Sequence, residues 1–355
     1  YEILPSDWSS DVCSSDLQFA GKLSHSEKVA LAADLRQMIA EELAAPGGEP
    51  DACPHCGCTE FVRRGRDARG GQRYLCRGCA RSFTARSRGL LARSKLAASQ
   101  WMDFAQCLAD APALRECAER CGTCLRTAWF MRHRACEVMA SRLEPFRAVG
   151  EVQVDGKYFA ESPGGNHVRP AGHEGAGTFE MPRKRHRSGS DIHVRGLSNL
   201  RVCAVTGVNE LGDEFAEVCC RGQASEADLL GVPRGRAGLG ATVKTDGKGE
   251  YAGALAALGA AHVTVDAKDR TTDNINVVNS MHSRLGHFMD GFHGVSTKHL
   301  QHYLDWFCYR EQFRGSDGDA RERIYRHECD GTYQTSRRDY VGMPIPFPQH
   351  WGLAA

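Results

Sequence analysis

No stretch of the 355-residue chain approaches the run of about 18 apolar residues that a bilayer-spanning helix needs. No basic-then-apolar leader with a small-residue cleavage site opens it, so a cytoplasmic protein that does not engage a membrane is the expectation. Excess charge is also lacking: 45 Lys and Arg stand against 44 Asp and Glu. No internal repeat is visible. Hydrophobic residues nevertheless make up 41%, which excludes a disordered tail protein and leaves room for two or three globular domains. Cysteine is the one residue present in unexpected number, at sixteen. In a long chain without a leader, metal ligands and reduced thiols are its expected uses, not a disulfide scaffold.

Residues 7–17 read DWSSDVCSSDL, which resembles the conceptual translation of a sequencing adapter. Residues 1–17, with Cys13, are therefore set apart from the fold argument, and the natural N-terminus is expected to be missing. Residues 18–50 hold one helix, on which Val29, Leu31, Leu35, Ile39 and Leu43 share a broad face, followed by a PGGEP linker. Residues 51–95 are too poor in apolar residues for a core of their own, so a metal is expected to hold them. Residues 96–147 divide into helices at 97–109, 113–121 and 124–139, broken by Pro112 and Gly122, which suits a helix-turn-helix. Ala118, Cys121 and Leu125 can pack inward there, while Arg126 and Arg132 on the last helix are expected to reach nucleic acid. Residues 148–310 turn to short β-prone runs (151–159, 200–205, 214–219, 241–245) separated by helical stretches, an α/β pattern. A long insert at 161–199, containing MPRKRHRSGS, is expected to be mobile and to face nucleic acid. The tail, 311–355, is polar and expected to be poorly ordered.

Cys53-x2-Cys56 and Cys76-x2-Cys79 form two knuckles 19 residues apart. Four thiolates close the tetrahedral shell of a Zn²⁺ ion, which makes the site structural. Cys58 competes with Cys56 on position, but only Cys56 keeps the two-residue spacing. From Arg63 to Lys95 there are eleven basic residues, Arg63, Arg64, Arg66 and Arg73 among them, and one acidic residue, Asp67, a local net of +10. Such density is a footprint for phosphates, and Arg favours bidentate contacts. The Cys117, Cys121 and Cys124 cluster does not read as a second metal site, because Cys117 and Cys121 share a helical face with Leu114 and Ala118 and read as small core residues of the helix-turn-helix.

Asp155 sits within one strand pattern, and Asp246 ends another. Carboxylates so placed can converge at a mixed sheet and bind a divalent metal through oxygen. The following helix carries Asn279, His282, Ser283 and Gly286 on neighbouring turns, where Asn279 and His282 can face the same site. On spacing alone, ordinary strand-end and turn residues explain these positions equally well. A zinc hydrolase built on His282, His287 and His293 is disfavoured, because intervals of five and six residues do not align imidazoles on one helical face.

The order of a four-cysteine ribbon, a helix-turn-helix, VQVDGKYFAES, VKTDGKGEY and NINVVNSMHSRLGHFMDGFHGVSTKHLQHYLDWF resembles the zinc-ribbon-bearing, ISXO-like insertion-sequence transposases. The resemblance implies a ribonuclease-H-like mixed sheet flanked by helices with a DDE-type centre. It assigns the catalytic Mg²⁺ or Mn²⁺ ligands to Asp155, Asp246 and Asn279, the last two separated by 32 residues. His282 is a candidate supporting contact to metal or phosphate, and Arg284 and Lys298 are candidate DNA contacts. The implied partners are the element's ends and target DNA, bound by a homo-oligomer. Gly156 stands where many members carry an acidic residue, and Gly286 where a Lys commonly follows HSRL. The rival is a non-catalytic DNA-binding regulator descended from such an enzyme. The basic ribbon predicts steep salt dependence: six or more phosphate contacts would cost about a thousandfold in DNA affinity between about 50 and about 200 mM salt. Fluorescence anisotropy across that range checks it, and affinity indifferent to salt removes the patch from the interface.

Overall fold

The computed structural model describes residues 21–44, 49–67, 70–87, 94–162, 201–231, 241–247, 249–257, 259–265, 274–331 and 335–344, with residues 89, 91, 346 and 347. The adapter-like residues 1–17 and almost all of the 161–199 insert lie outside them. In chain order the elements are α1 (His25–Leu43), β1 (Phe61–Arg66), β2 (Gln72–Cys76), β3 (Ser82–Thr84), α2 (Ala98–Asp110), α3 (Leu114–Arg120) and α4 (Leu125–Ser141). They continue with β4 (Glu151–Ala160), β5 (Arg201–Asn209), β6 (Glu214–Arg221), α5 (Glu226–Gly231), β7 (Thr242–Thr245), α6 (Gly249–Ala257), β8 (Ala261–Thr264) and α7 (Asn276–Asp290). A 3₁₀ turn (Thr297–His299) leads into α8 (Leu300–Gln312), followed by α9 (Ala320–Asp330) and α10 (Arg337–Gly342). Contacts divide the chain into two compact units, residues 1–105 with 321–332, and residues 106–320 with 333–355. Among the described residues, no helix is long and apolar enough to cross a membrane.

In the first unit, α1 begins at a capping box in which the Glu27 amide donates to Ser24 Oγ and the Ser24 amide to Glu27 Oε2. The apolar face expected to pack is instead exposed, Val29 at 57% and Ile39 at 48%. The helix is held on another side, where the buried Tyr325 hydroxyl donates to the Ala40 carbonyl and the Ser99 amide to Gln37 Oε1. Strands β1, β2 and β3 form a small antiparallel sheet. Its apolar content is one cluster of Phe61, Tyr74 and Phe83, with ring centroids 5.3 to 5.5 Å apart, set against Cys53 and Cys76.

The second unit contains a five-stranded mixed sheet in the order β6-β5-β4-β7-β8. Strands β6, β5 and β4 are antiparallel, while β4, β7 and β8 are parallel. Strand β5 (RVCAVTGVN) is buried along nearly its whole length, as its run of small and β-branched residues requires of a strand covered on both faces. On one face Val152, Val154, Phe215 and Val243 pack against Leu229 of α5 and Tyr251, Ala254 and Leu255 of α6. Helix α7 buries Val278, Met281, Leu285 and Phe288 at helical spacing, and α8 buries Leu300, Leu304 and Phe307. This is the expected ribonuclease-H-like arrangement of a mixed sheet flanked by helices.

Helices α3 and α4 are joined by a tight turn in which Gly122 adopts φ +59°, a value that strains any residue bearing a Cβ. Ala118 and Cys121 are buried as expected, but Leu125 is exposed, because it opens α4 ahead of the face formed by Ala128, Met131 and Ala135. Arg132 corrects a second expectation. It is only 2% exposed, and its Nη2 donates to the Pro112 carbonyl at 2.9 Å and to Cys117 Sγ at 3.1 Å. Its guanidinium lies over the rings of Phe292 and Trp306, at 5.2 and 5.4 Å. Aromatic faces and a carbonyl meet this charge, and it is unavailable to DNA. Burial also holds the neighbouring His133 down to about 2 and His299 to about 3, so both are neutral imidazoles.

The expected disorder of the tail is likewise corrected. Helix α9 is anchored by Ile324 and Tyr325, and α10 by Tyr340 behind a Ser336/Asp339 capping box. Among the described residues, Trp306 is the largest fully buried side chain, donating Nε1–H to the Leu108 carbonyl at 3.1 Å. Trp306→Ala is expected to cost about 3–5 kcal/mol of stability, measured by denaturant unfolding; a loss below about 1 kcal/mol would contradict the packing described.

Candidate functional site

The four cysteines of the two knuckles meet. Their sulfurs all lie within 4.8 Å of one another, Cys53 to Cys79 at 3.8 Å and Cys56 to Cys76 at 3.6 Å. Sulfurs at about 2.3 Å from a tetrahedral zinc are about 3.8 Å apart, so the set can hold zinc with little movement. The Cys79 amide, chiefly, draws the Cys76 thiol below its usual range, as suits a ligating thiolate. Cys58 stands outside the group, its Sγ directed at the Glu60 carbonyl. The Cys117, Cys121 and Cys124 positions form no such group among the described residues, and Cys117 is instead kept protonated by the Cys107 thiol and by burial.

Asp155 and Asp246 are related through strand pairing. Strands β4 and β7 run parallel with Gln153 opposite Lys244. Asp155 follows Gln153 by two residues on β4, and Asp246 comes directly after Thr245, the last residue of β7. The Tyr251 hydroxyl is pushed up first by burial and further by nearby negative charge, that of Asp155 and Asp246 included. The Gly156 amide donates to Asp155 Oδ1 at 2.7 Å. Thr206, opposite Asp155 on β5, donates its hydroxyl to the Asp155 carbonyl at 2.8 Å and meets His282 Nε2 at 2.7 Å. His282 Nδ1 lies 3.8 Å from Asp155 Oδ2.

Helix α7 is fastened to β4 at successive positions. Gln153 Oε1 accepts the amides of Val277 at 3.0 Å and Val278 at 3.3 Å, which satisfies two of the unpaired donors at the helix start. Beyond Asp155, Lys157 Nζ donates to the His282 carbonyl at 3.0 Å. Asn279 is exposed one turn before His282; no hydrogen bond among the described residues joins its side chain to either carboxylate.

Residues 147–312 match the model of the ISXO2-like transposase domain. That segment starts just before β4 and ends with the last residue of α8, so it takes in the whole mixed sheet and the site described above. This part of the chain is similar to an ISXO2-like transposase domain. No curated protein matches the chain.

Within the matched segment, two expected DNA contacts are committed elsewhere. Arg284 is paired with Glu214 and, at 2.9 Å, with Glu311. Burial pushes Glu214 up to about 7, and the Arg284 charge opposes that rise. Both acids line a groove of about 820 Å³ shared with Glu144, Asp213, Glu217 and Asp305, whose negative charge repels phosphate. Lys298 is half-buried and donates to the Val341 carbonyl at 3.0 Å. In the first unit Arg63, Arg64, Arg66 and Arg73 are exposed, Arg63 pairing with Glu49, and in the second unit Arg126 is exposed on the opening turn of α4. His287 and His293 are exposed and do not gather with His282.

Sequence reasoning misses Lys157. Its Nζ lies 3.7 Å from where a Cβ on Gly286 would stand, so β4 supplies an ammonium beside the helix position that lacks a lysine. The alternation of β4 carried the signal, since Lys157 follows Asp155 by two and shares its face. For the ribbon, stripping the metal with a strong chelator is expected to unfold residues 51–87, read as new proteolytic cleavage inside that segment; a ribbon that stays resistant would exclude a metal-held fold.

Proposed function

We propose that the protein is an insertion-sequence transposase that cuts and joins DNA strands in a metal-dependent reaction at Asp155, Asp246 and Asn279. The ribbon, holding a structural Zn²⁺, and the helix-turn-helix bind the terminal inverted repeats, and the protein works as a homo-oligomer on its DNA. The observation that carries this reading is that β4 and β7 are neighbouring parallel strands, with Asp155 within the first and Asp246 directly after the last residue of the second. A DNA-binding regulator without catalysis has no need of that juxtaposition.

The donor set fits a hard divalent cation: two carboxylates, with an amide oxygen from the adjoining helix. When bound, a pair of Mg²⁺ or Mn²⁺ ions supplies activation of the attacking water or 3′-hydroxyl and stabilisation of the leaving oxygen at a DNA phosphodiester. Asn279 contributes its oxygen without charge, so ion affinity is lower than a glutamate would give. The Gly156 amide occupies Asp155 Oδ1 and fixes the orientation of the carboxylate. Thr206 has a single hydroxyl proton, which goes to the Asp155 carbonyl, so His282 Nε2–H must donate to Thr206 Oγ1. In the neutral ring the Nδ1 lone pair then faces Asp155 Oδ2, and two acceptors open on the same space. Asp155, Asp246 and His282 do not gather as one ligand group among the described residues, so His282 acts by positioning Asp155 through Thr206. Lys157 offers its ammonium to a substrate phosphate on the same side.

Asp155→Ala and the near-isosteric Asp155→Asn are each expected to reduce Mg²⁺-dependent cleavage of end-bearing DNA to background while leaving DNA affinity unchanged. Retained cleavage in either variant overturns the site assignment, and a wild-type protein that binds DNA but never cuts it in Mg²⁺ or Mn²⁺ favours the regulator.

A further inference from the structure

Three histidines outside the carboxylate site converge between α4 and α8. His133 comes from the middle of α4, and His299 and His302 from the 3₁₀ turn and first turn of α8, where their spacing of three sets them on one face. Ligand nitrogens of the three rings lie within 4.8 Å of one another. His133 is 1% and His299 4% exposed, while His302 is half-buried and leaves one side of the cluster open to solvent.

The hydrogen bonding of this cluster is incomplete. His133 Nδ1 and His302 Nδ1 face each other at 2.9 Å, so one ring must spend its proton on the other. Among the described residues, neither nitrogen of His299 has a hydrogen-bond partner, although its ring centroid is 4.2 Å from that of His133. A buried donor or acceptor left unmade costs about 1–3 kcal/mol, and apolar side chains would fill the same space without that cost. Three neutral imidazoles from two facing helices, one with both nitrogens unused, form the donor set of a borderline transition-metal ion. Metal–nitrogen bonds of about 2.0–2.1 Å set tetrahedral ligand nitrogens about 3.3–3.4 Å apart; the His133 and His302 Nδ1 atoms would part slightly from 2.9 Å while wider separations, up to 4.8 Å, close, within reach of ring rotation.

We propose that His133, His299 and His302 bind a second metal ion of the Zn²⁺ class, separate from the ribbon and from the carboxylates, with water completing the shell on the His302 side. Glu137, one turn beyond His133, holds the Tyr340 hydroxyl, and its charge acts on His302, as an outer carboxylate does for a ligating imidazole. The ion pins the last helix before the sheet to the helix that closes the matched segment. This site does not depend on the catalytic reading.

Co²⁺ titration of the metal-free full-length protein tests it. The first prediction is that the thiolate charge-transfer band saturates at one equivalent while a second equivalent continues to bind, adding only the weaker d–d absorption of a nitrogen site. Bound cobalt and thiolate band saturating together at one equivalent overturns the proposal. Elemental analysis after zinc reconstitution gives an independent reading: two ions per chain in the wild type and one in each of His299→Phe, His302→Asn and Cys76→Ser. Unchanged content in the two histidine variants overturns it, and should those variants fail to fold, the same cobalt titration of Asp155→Ala decides: a second equivalent that no longer binds overturns the histidine site.

Discussion

Strand β4 is hydrogen-bonded along both edges, antiparallel to β5 and parallel to β7, and the side-chain alternation that this double pairing enforces decides what can meet what. Val152 and Val154 enter the core with α5 and α6, while Gln153, Asp155 and Lys157 turn to the other face and meet α7 in sequence. A slip of one residue would exchange the two sets, driving a carboxylate and an ammonium into the apolar layer. Register is therefore fixed from both sides of the sheet at once. Gln153 adds a second lock, because an uncharged amide can accept from the start of α7 without adding a charge beside Asp155.

The ribbon solves a different problem. Its apolar cluster is three rings deep, yet it carries a large excess of arginine that repels itself. Four thiolates around a divalent zinc would carry a net charge of about −2, so an ion held there would both stand in for a hydrophobic core and offset part of the repulsion. The arginines can then remain on the surface, where Arg64, Arg66 and Arg73 are found.

Much of this was legible in the sequence wherever the pattern was local. The helices flanking Pro112 and Gly122, the cysteine knuckles and the valine-rich strands follow from spacing and breakers, and the family resemblance ordered them. Strand β8 was not legible, because AHVT is four residues long and half-exposed. Helices α9 and α10 were hidden by charge, since a few buried residues such as Ile324, Tyr325 and Tyr340 anchor them. Arg132 failed for a third reason: periodicity assigns a face, but only tertiary contact with Phe292 and Trp306 shows that the face is internal. Arg284 is similar, because its acidic partners are 70 residues before it and 27 after. The α1 stripe shows the converse, an apolar periodicity without burial.

The division of the proposed site between strand and helix has one more consequence. Asp155 and Lys157 share a backbone fixed by two neighbouring strands, whereas Asn279 and His282 ride on α7. A sliding of α7 along the sheet would change the reach of the amide and imidazole while the distance between carboxylate and ammonium stayed constant. Substitutions beneath α7, at Met281 or Leu285, could thus tune half of the site like a vernier, with the negative and positive poles on β4 serving as the fixed scale.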